Sequence, residues 1–186
     1  MRLFEHHGNP GYCWCMLWRL PTNTYRQLDS AGRKAALNSL VEAGIPTGIL
    51  GFLDGEPVGW CSVAPRPTYQ RLERSRTLRS LDDRRTWSVV CFYLQRKVRH
   101  QGLPVKLLQA AVKYAFSQGA EVVEGYPIER YQDEAGNWQP VASYRFMGSV
   151  ATFEMAGFRQ ADVAGNRRIM RIYPSGSEPD LSGDAR

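Results

Sequence analysis

A chain of 186 residues with 43% hydrophobic and 11% aromatic content is long enough for one domain with a sizeable core, and too apolar for a disordered segment. The formal net charge of +6 favours an anionic partner. No apolar run approaches the length of a membrane span, and the start, MRLFEHHGNPG, lacks the apolar stretch of a secretory signal, so the expected location is the cytoplasm.

In chain order, Tyr12 to Leu20 reads as a first strand, with Tyr12, Trp14, Met16 and Trp18 on one face and Cys13, Cys15 and Leu17 on the other. The aromatic run Tyr12, Trp14 and Trp18 serves either the core or one wall of an acceptor pocket, and the core is favoured. The four cysteines (13, 15, 61 and 91) fall in apolar strand-like runs, where a reduced thiol acts as a small hydrophobe. His6, His7, Cys13 and Cys15 do not make a zinc pattern: Cys-x-Cys is too tight and no second pair follows, so no metal is expected. Cys91 sits mid-strand with no histidine beside it and reads as buried.

Asp29 or Ser30 caps a helix running from Ala31 to Ala43 and ending at Gly44. Residues 47–53 and 56–64 flank Asp54-Gly55, a strong hairpin signal. Between Arg66 and Arg85 lie seven arginines against Glu73, Asp82 and Asp83. A solvated, mobile loop is the favoured reading there; with Tyr69 as its sole aromatic residue, the segment offers no stacking platform for single-stranded nucleic acid.

Residues 87–119 carry the most information. Trp87 to Leu94 is apolar on both faces, as in a central strand. The turn Arg99-His100-Gln101-Gly102-Leu103-Pro104 follows, and then a helix with Val105, Leu108, Ala111, Val112 and Ala115 at spacings of three and four, stopping at Gly119. A glycine turn entering a helix whose first positions tolerate proline aims amides and a partial positive charge at one spot, which suits a phosphate or pyrophosphate. Neither GxxxxGK[ST] nor GxGxxG occurs. Residues 121–126 form another strand, 127–147 a long polar insertion, and Ser149 caps a short helix ending before Gly157. Residues 158–164 and 168–173 make a closing hairpin around Gly165-Asn166. One domain over residues 1–173 is expected, followed by a flexible polar tail over 174–186.

The segment Arg99-x-x-Gly102-x-Pro104 resembles the [QR]-x-x-G-x-[GA] cofactor motif of the GNAT superfamily of N-acetyltransferases. Residues 151–158, ATFEMAGF, resemble that family's later A-x-x-x-Y-E-x-x-G-F helix, with two residues fewer between the alanine and the aromatic. The two motifs, in order, make the resemblance span roughly residues 47–173. It implies an α/β fold: a mixed, mostly antiparallel twisted sheet with helices on both faces. It also implies acetyl transfer from acetyl-coenzyme A to a primary amine by direct attack on the thioester.

By position, the resemblance puts backbone N–H groups of Phe92, Tyr93 and Leu94 against the pantetheine and thioester. It puts Arg99, His100, Gln101, Gly102 and Leu103, with Pro104 and Val105, at the pyrophosphate, and Ser149 and Phe153 beside the coenzyme. Pro104 departs from the usual Gly or Ala and lacks an amide donor. Phe153 stands where the family often has a tyrosine that protonates the leaving thiolate. Tyr144 is the nearest substitute in sequence, and Glu124 and Tyr126, at a strand end, are candidates for orienting or deprotonating the amine. The expected partners are acetyl-coenzyme A, itself an anion, and an unidentified amine; no membrane is expected, nucleic acid is the less favoured partner, and a homodimer is left open. The alternative is a non-catalytic coenzyme-A-binding or basic nucleic-acid-binding module on the same fold.

Overall fold

A computed structural model describes residues 2–4, 10–98, 102–128, 145–165 and 167–177. Six strands form one sheet: β1 (Ile49–Leu53), β2 (Glu56–Pro65), β3 (Thr86–Leu94), β4 (Val122–Gly125), β5 (Arg159–Ala164) and β6 (Arg167–Ile172). Their order is β1-β2-β3-β4-β6-β5, and among the described residues β3 with β4 is the single parallel pair. The sheet is thus mixed and mostly antiparallel, as expected.

The helices are α1 (Thr22–Gln27), α2 (Ser30–Glu42), α3 (Gln70–Glu73), α4 (Leu103–Ser117) and α5 (Val150–Met155). On one face of the sheet, Leu107, Leu108, Ala111, Val112 and Ala115 of α4 pack with Phe153 of α5 against Val63, Val89 and Val123. The other face is covered by Leu37 of α2, Leu72 of α3 and the N-terminal residues Leu3, Phe4, Trp14, Cys15 and Met16. Local signals set the boundaries. Asp29 caps α2 by accepting from Gly32 N–H at 2.7 Å. The β1–β2 hairpin turns at Asp54 and Gly55, both in the left-handed region that a tight hairpin requires.

Two expectations are corrected. Residues 12–20 form no strand: a 3-10 turn at Pro10–Tyr12 leads into successive turns closed by Met16 N–H to Cys13 C=O, 2.8 Å, and Leu20 N–H to Met16 C=O, 3.0 Å. Cys13, Trp14, Cys15 and Met16 are buried one after another, so the apolar run reflects a wrapped segment and not a pleat with two faces. The arginine-rich segment is not uniformly solvated. Arg74, Arg76 and Arg79 are exposed, but Arg66 is 4% exposed, and Tyr69, Leu72 and Leu78 are buried beneath the segment. No helix among the described residues is long and apolar enough to cross a membrane.

Candidate active site

The site is built where β3 leaves β4. Their parallel register runs from Thr86–Val122 to Val89–Gly125, where β4 ends; β3 continues through Val90–Leu94 beside β2. In the β2–β3 register Ser62 faces Cys91 while Val63 faces Val89, so Val90 is one residue extra, a β-bulge. The bulge sends Val90 and Cys91 to the same face, where both join the core beneath the N-terminal segment. Phe92 and Leu94 turn to the opposite face, towards α4. A wedge therefore opens between β3 and the end of β4.

Gly125 lets β4 end against α5, because a Cβ there would lie 2.0 Å from Phe153 Cε1. Phe153 is buried at 1% exposure and meets Phe158 edge-on at 4.9 Å. Ser149 caps α5, accepting from Thr152 N–H at 3.3 Å, and remains exposed. Past the far end of β3, Gly102 precedes α4 with φ +67°, a left-handed conformation that favours glycine, and a Cβ there would meet nothing within 4 Å. Pro104 lies in the first turn, and the first closing bond is Lys106 N–H to Gly102 C=O, 3.3 Å. The amides of Leu103 and Val105 precede that bond, at the positive end of a 15-residue helix. Open space at Gly102 beside such amides fits a pyrophosphate. Leu103, Val105, Phe92 and Leu94 all belong to the core on this face of the sheet. Arg99, His100, Gln101 and Tyr144 lie outside the described residues.

Glu124 and Tyr126 occupy a closed ionic cluster, both fully buried. Glu124 Oε1 accepts from Arg66 Nη1 at 3.1 Å and Tyr126 Oη at 2.5 Å; Oε2 accepts from Arg171 Nε at 2.7 Å. Arg66 also donates to Tyr126 Oη, 2.7 Å, and pairs with Glu73, while Arg171 donates to Asp82 Oδ2 at 2.6 Å. Ser88 Oγ lies 2.9 Å from Tyr126 Oη. Burial first, and then the Glu124 charge, pushes the Tyr126 hydroxyl well above its usual range. Burial pushes the Asp82 carboxyl up, but the bond and charge of Arg171 outweigh it and hold Asp82 below the usual carboxylate range. Sequence reasoning singled out Glu124 but missed Arg66, Arg171, Asp82 and Ser88 as its company. The available signal was a glutamate inside the apolar run Val122-Val123-Glu124-Gly125, since a buried carboxylate demands cationic partners.

At the closed end of β3 a cavity of about 520 Å³ is lined by Arg66, Glu73, Asp82, Arg84, Thr86 and Trp87, among others. Arg66 pairs there with Glu73 and Arg84 with Asp82, and the cavity lies at the end of β3 away from the wedge. Among the described residues no group of His, Cys, Asp and Glu could hold a metal ion.

Residues 14–129 match the model of the acetyltransferase (GNAT) family, well over half of the chain. The chain belongs to the GNAT family. A search of curated proteins finds no match. Among solved structures, this GNAT chain resembles AAC(6')-Ib in complex with paromomycin and acetyl-CoA, at 14% identity over 94% of this chain and 95% of that one, TM-score 0.53. A second structure of the aminoglycoside acetyltransferase AAC(6')-Ib, with coenzyme A and kanamycin, is similar at 14% identity over 84% and 85%, TM-score 0.53. A GNAT acetyltransferase from Listeria monocytogenes is similar at 12% identity over 74% and 69%, TM-score 0.50. At such identities the likeness is one of fold, and it agrees with a GNAT sheet.

Proposed function

We propose that this GNAT protein transfers the acetyl group of acetyl-coenzyme A to a primary amine by direct attack of the amine on the thioester. One observation carries the reading: β3 parts from β4 at Val89–Gly125, and the same strand leads on to the left-handed Gly102 at the start of α4. Acetyl-coenzyme A supplies the activated acyl group and a thiolate leaving group. The backbone of Phe92, Tyr93 and Leu94 lines the wedge and holds the pantetheine arm, with N–H groups directed at the oxygen that gains charge as the amine attacks. Gly102, Leu103 and Val105, with Arg99, His100 and Gln101 before them, receive the pyrophosphate; Pro104 gives up one donor for a pre-set helical backbone. The exposed Ser149, at the cap of α5, flanks the coenzyme, and the buried Phe153 supports that side from behind.

Phe153 has no proton to give, so Tyr144, shortly before Arg145–Met147, is proposed to protonate the thiolate. Glu124 and Tyr126 are assigned an orienting role: both carboxylate oxygens of Glu124 are engaged by guanidinium groups, and the cluster fixes the end of β4 that forms one wall of the wedge. The amine must arrive neutral or lose its proton to solvent. A cytoplasmic setting, which keeps thiols reduced, suits four free and buried cysteines.

Coenzyme release from acetyl-coenzyme A, measured against a panel of primary amines, tests this function. Turnover with at least one amine is expected; coenzyme binding without turnover across amino acids, polyamines, aminoglycosides and peptide amines would support the second reading. That second reading, a coenzyme-binding module without catalysis, draws on the apolar Phe153. Nucleic-acid binding with a steep loss on adding salt would point the same way through the exposed Arg74, Arg76 and Arg79.

A further inference from the structure

The Cys13-x-Cys15 motif, which acetyl transfer leaves without a role, meets a third thiol in space. Cys15 Sγ lies 3.0 Å from Cys91 Sγ, across 76 residues of chain. The approach is enforced from both sides. Trp14 and Cys15 take consecutive left-handed conformations, φ 46° and 54°, which L side chains adopt at a cost and which cluster where a side chain must be aimed. On the other side the bulge at Val90 turns Cys91 to this face of the sheet. Trp60 Nε1–H donates to Cys15 Sγ at 3.1 Å and fixes that sulfur further.

Cys13, Cys15 and Cys91 also line a small cavity, about 30 Å³, together with Trp18, Val90 and Met147. That is room for a molecule the size of water or hydrogen peroxide. Cys61, by contrast, lies in the core on the opposite face of the sheet, outside this cluster. Two thiols in near contact beside a space that admits a small oxidant make a defined oxidation site, not a set of inert core residues.

We infer that Cys15 and Cys91 form an intramolecular disulfide when the protein meets a hydroperoxide. One sulfur, as thiolate, attacks a peroxide oxygen; the O–O bond breaks, a sulfenic acid forms and hydroxide leaves, taking up the released proton as water. The second sulfur attacks the sulfenic sulfur; the S–S bond forms, the S–O bond breaks and a second water leaves. Each cysteine sulfur loses one electron and the two peroxide oxygens gain them. The sulfurs need to close by about 1 Å to reach bonding distance. A bond to Cys15, with burial, pushes the Cys13 thiol up, and burial pushes the Cys15 thiol up, which slows attack on the peroxide from that sulfur. The cross-link ties the wrapped N-terminal segment to β3.

The purified full chain, treated with hydrogen peroxide, quenched and then alkylated, is mapped by non-reducing peptide mass spectrometry. The expected result is loss of two hydrogens in intact mass, one peptide pair joining Cys15 to Cys91, and Cys13 and Cys61 alkylated. The melting temperature of the oxidised protein should rise by roughly 10 °C and fall back on adding dithiothreitol. Cys15→Ser and Cys91→Ser should each lose the cross-link while Cys13→Ser keeps it; should a variant not fold, the map of the unaltered chain still decides. A Cys13–Cys15 pair, a cross-link to Cys61 or between chains, or four alkylatable thiols after peroxide would overturn the inference. None of these readouts depends on acetyl transfer.

Discussion

The ring of Phe153 occupies the space that a side chain on Gly125 would need: a Cβ at 125 would fall 2.0 Å from Cε1 and 2.6 Å from Cζ. The ring cannot retreat, since Phe158 meets it edge-on and a Cβ at Gly148 would be 3.0 Å from its other side. Gly125→Ala should therefore lower stability by about 2–3 kcal/mol, the scale of overpacking in a dense core. Urea unfolding measures it. Gly165→Ala, where φ is +65° and the surroundings are open, supplies the comparison, and equal losses at the two sites would show that the ring moves aside.

Gly102→Asp probes the turn ahead of α4. The position is open, so the substitution costs only the strain of a left-handed aspartate, about 1 kcal/mol. The unliganded melting temperature should drop by a few degrees, while the stabilisation by coenzyme A, expected for the unaltered chain, should vanish. Gly102→Ala adds bulk without charge and should retain part of the effect. An aspartate variant that coenzyme A still stabilises fully would displace the pyrophosphate from this turn.

Tyr144→Phe removes a hydroxyl and little volume. If Tyr144 protonates the thiolate, turnover should fall by about 10²-fold or more with coenzyme affinity unchanged. A rate within about twofold of the unaltered chain would leave solvent as the proton source.

Glu124→Gln keeps shape but leaves Arg66 and Arg171 buried opposite a neutral amide. A loss of about 3–5 kcal/mol is expected, because breaking a buried pair strands the partner charges. An orienting role predicts that the pH profile of kcat/KM keeps its acid limb in whatever fraction stays folded. Disappearance of that limb would make Glu124 the base.

Asp82 sets a pH dependence with a definite sign. Its carboxyl is held below the usual range in the folded protein, so the unfolded chain binds its proton first as pH falls. The stability it confers is complete above the ordinary aspartate range and is lost as pH drops through the folded value, below about pH 4. Asp82→Asn should thus be less stable at neutral pH, with the gap closing in acid. Denaturant titrations at several pH values read it directly, and a gap that widens in acid would reverse the assignment.

Much of the fold could be read along the chain because its punctuation is local. Asp29 and Ser149 cap their helices through their own side chains, and Asp54-Gly55 turns a hairpin with backbone angles those residues tolerate. The wrapped segment at residues 12–20 could not be read, since consecutive buried residues in a coil and alternate ones in a doubly covered strand spell the same apolar text. Arg66 was equally opaque: surrounded by arginines that reach solvent, it is distinguished by Glu124, 58 residues away. The strand end and glycine turn were legible, being contiguous; the company of Glu124 was not, being assembled from four separate stretches.

The sheet is two antiparallel three-stranded halves, β1-β2-β3 and β4-β6-β5, sharing a seam of only four parallel residue pairs. Arg66 comes from just after β2, Glu124 and Arg171 from the other half, so their ion cluster works as a clasp across that seam, one residue pair before the strands part. Among the described residues no β3–β4 pair follows Val89–Gly125. A ligand lying in that gap would act as mortar between two half-sheets, touching each through its backbone. The two halves do not rely on it to stay together, because each face of the sheet carries a core drawn from both, Val63 and Val89 with Val123 and Met170 on one side, Trp60 and Val90 with Ile169 on the other.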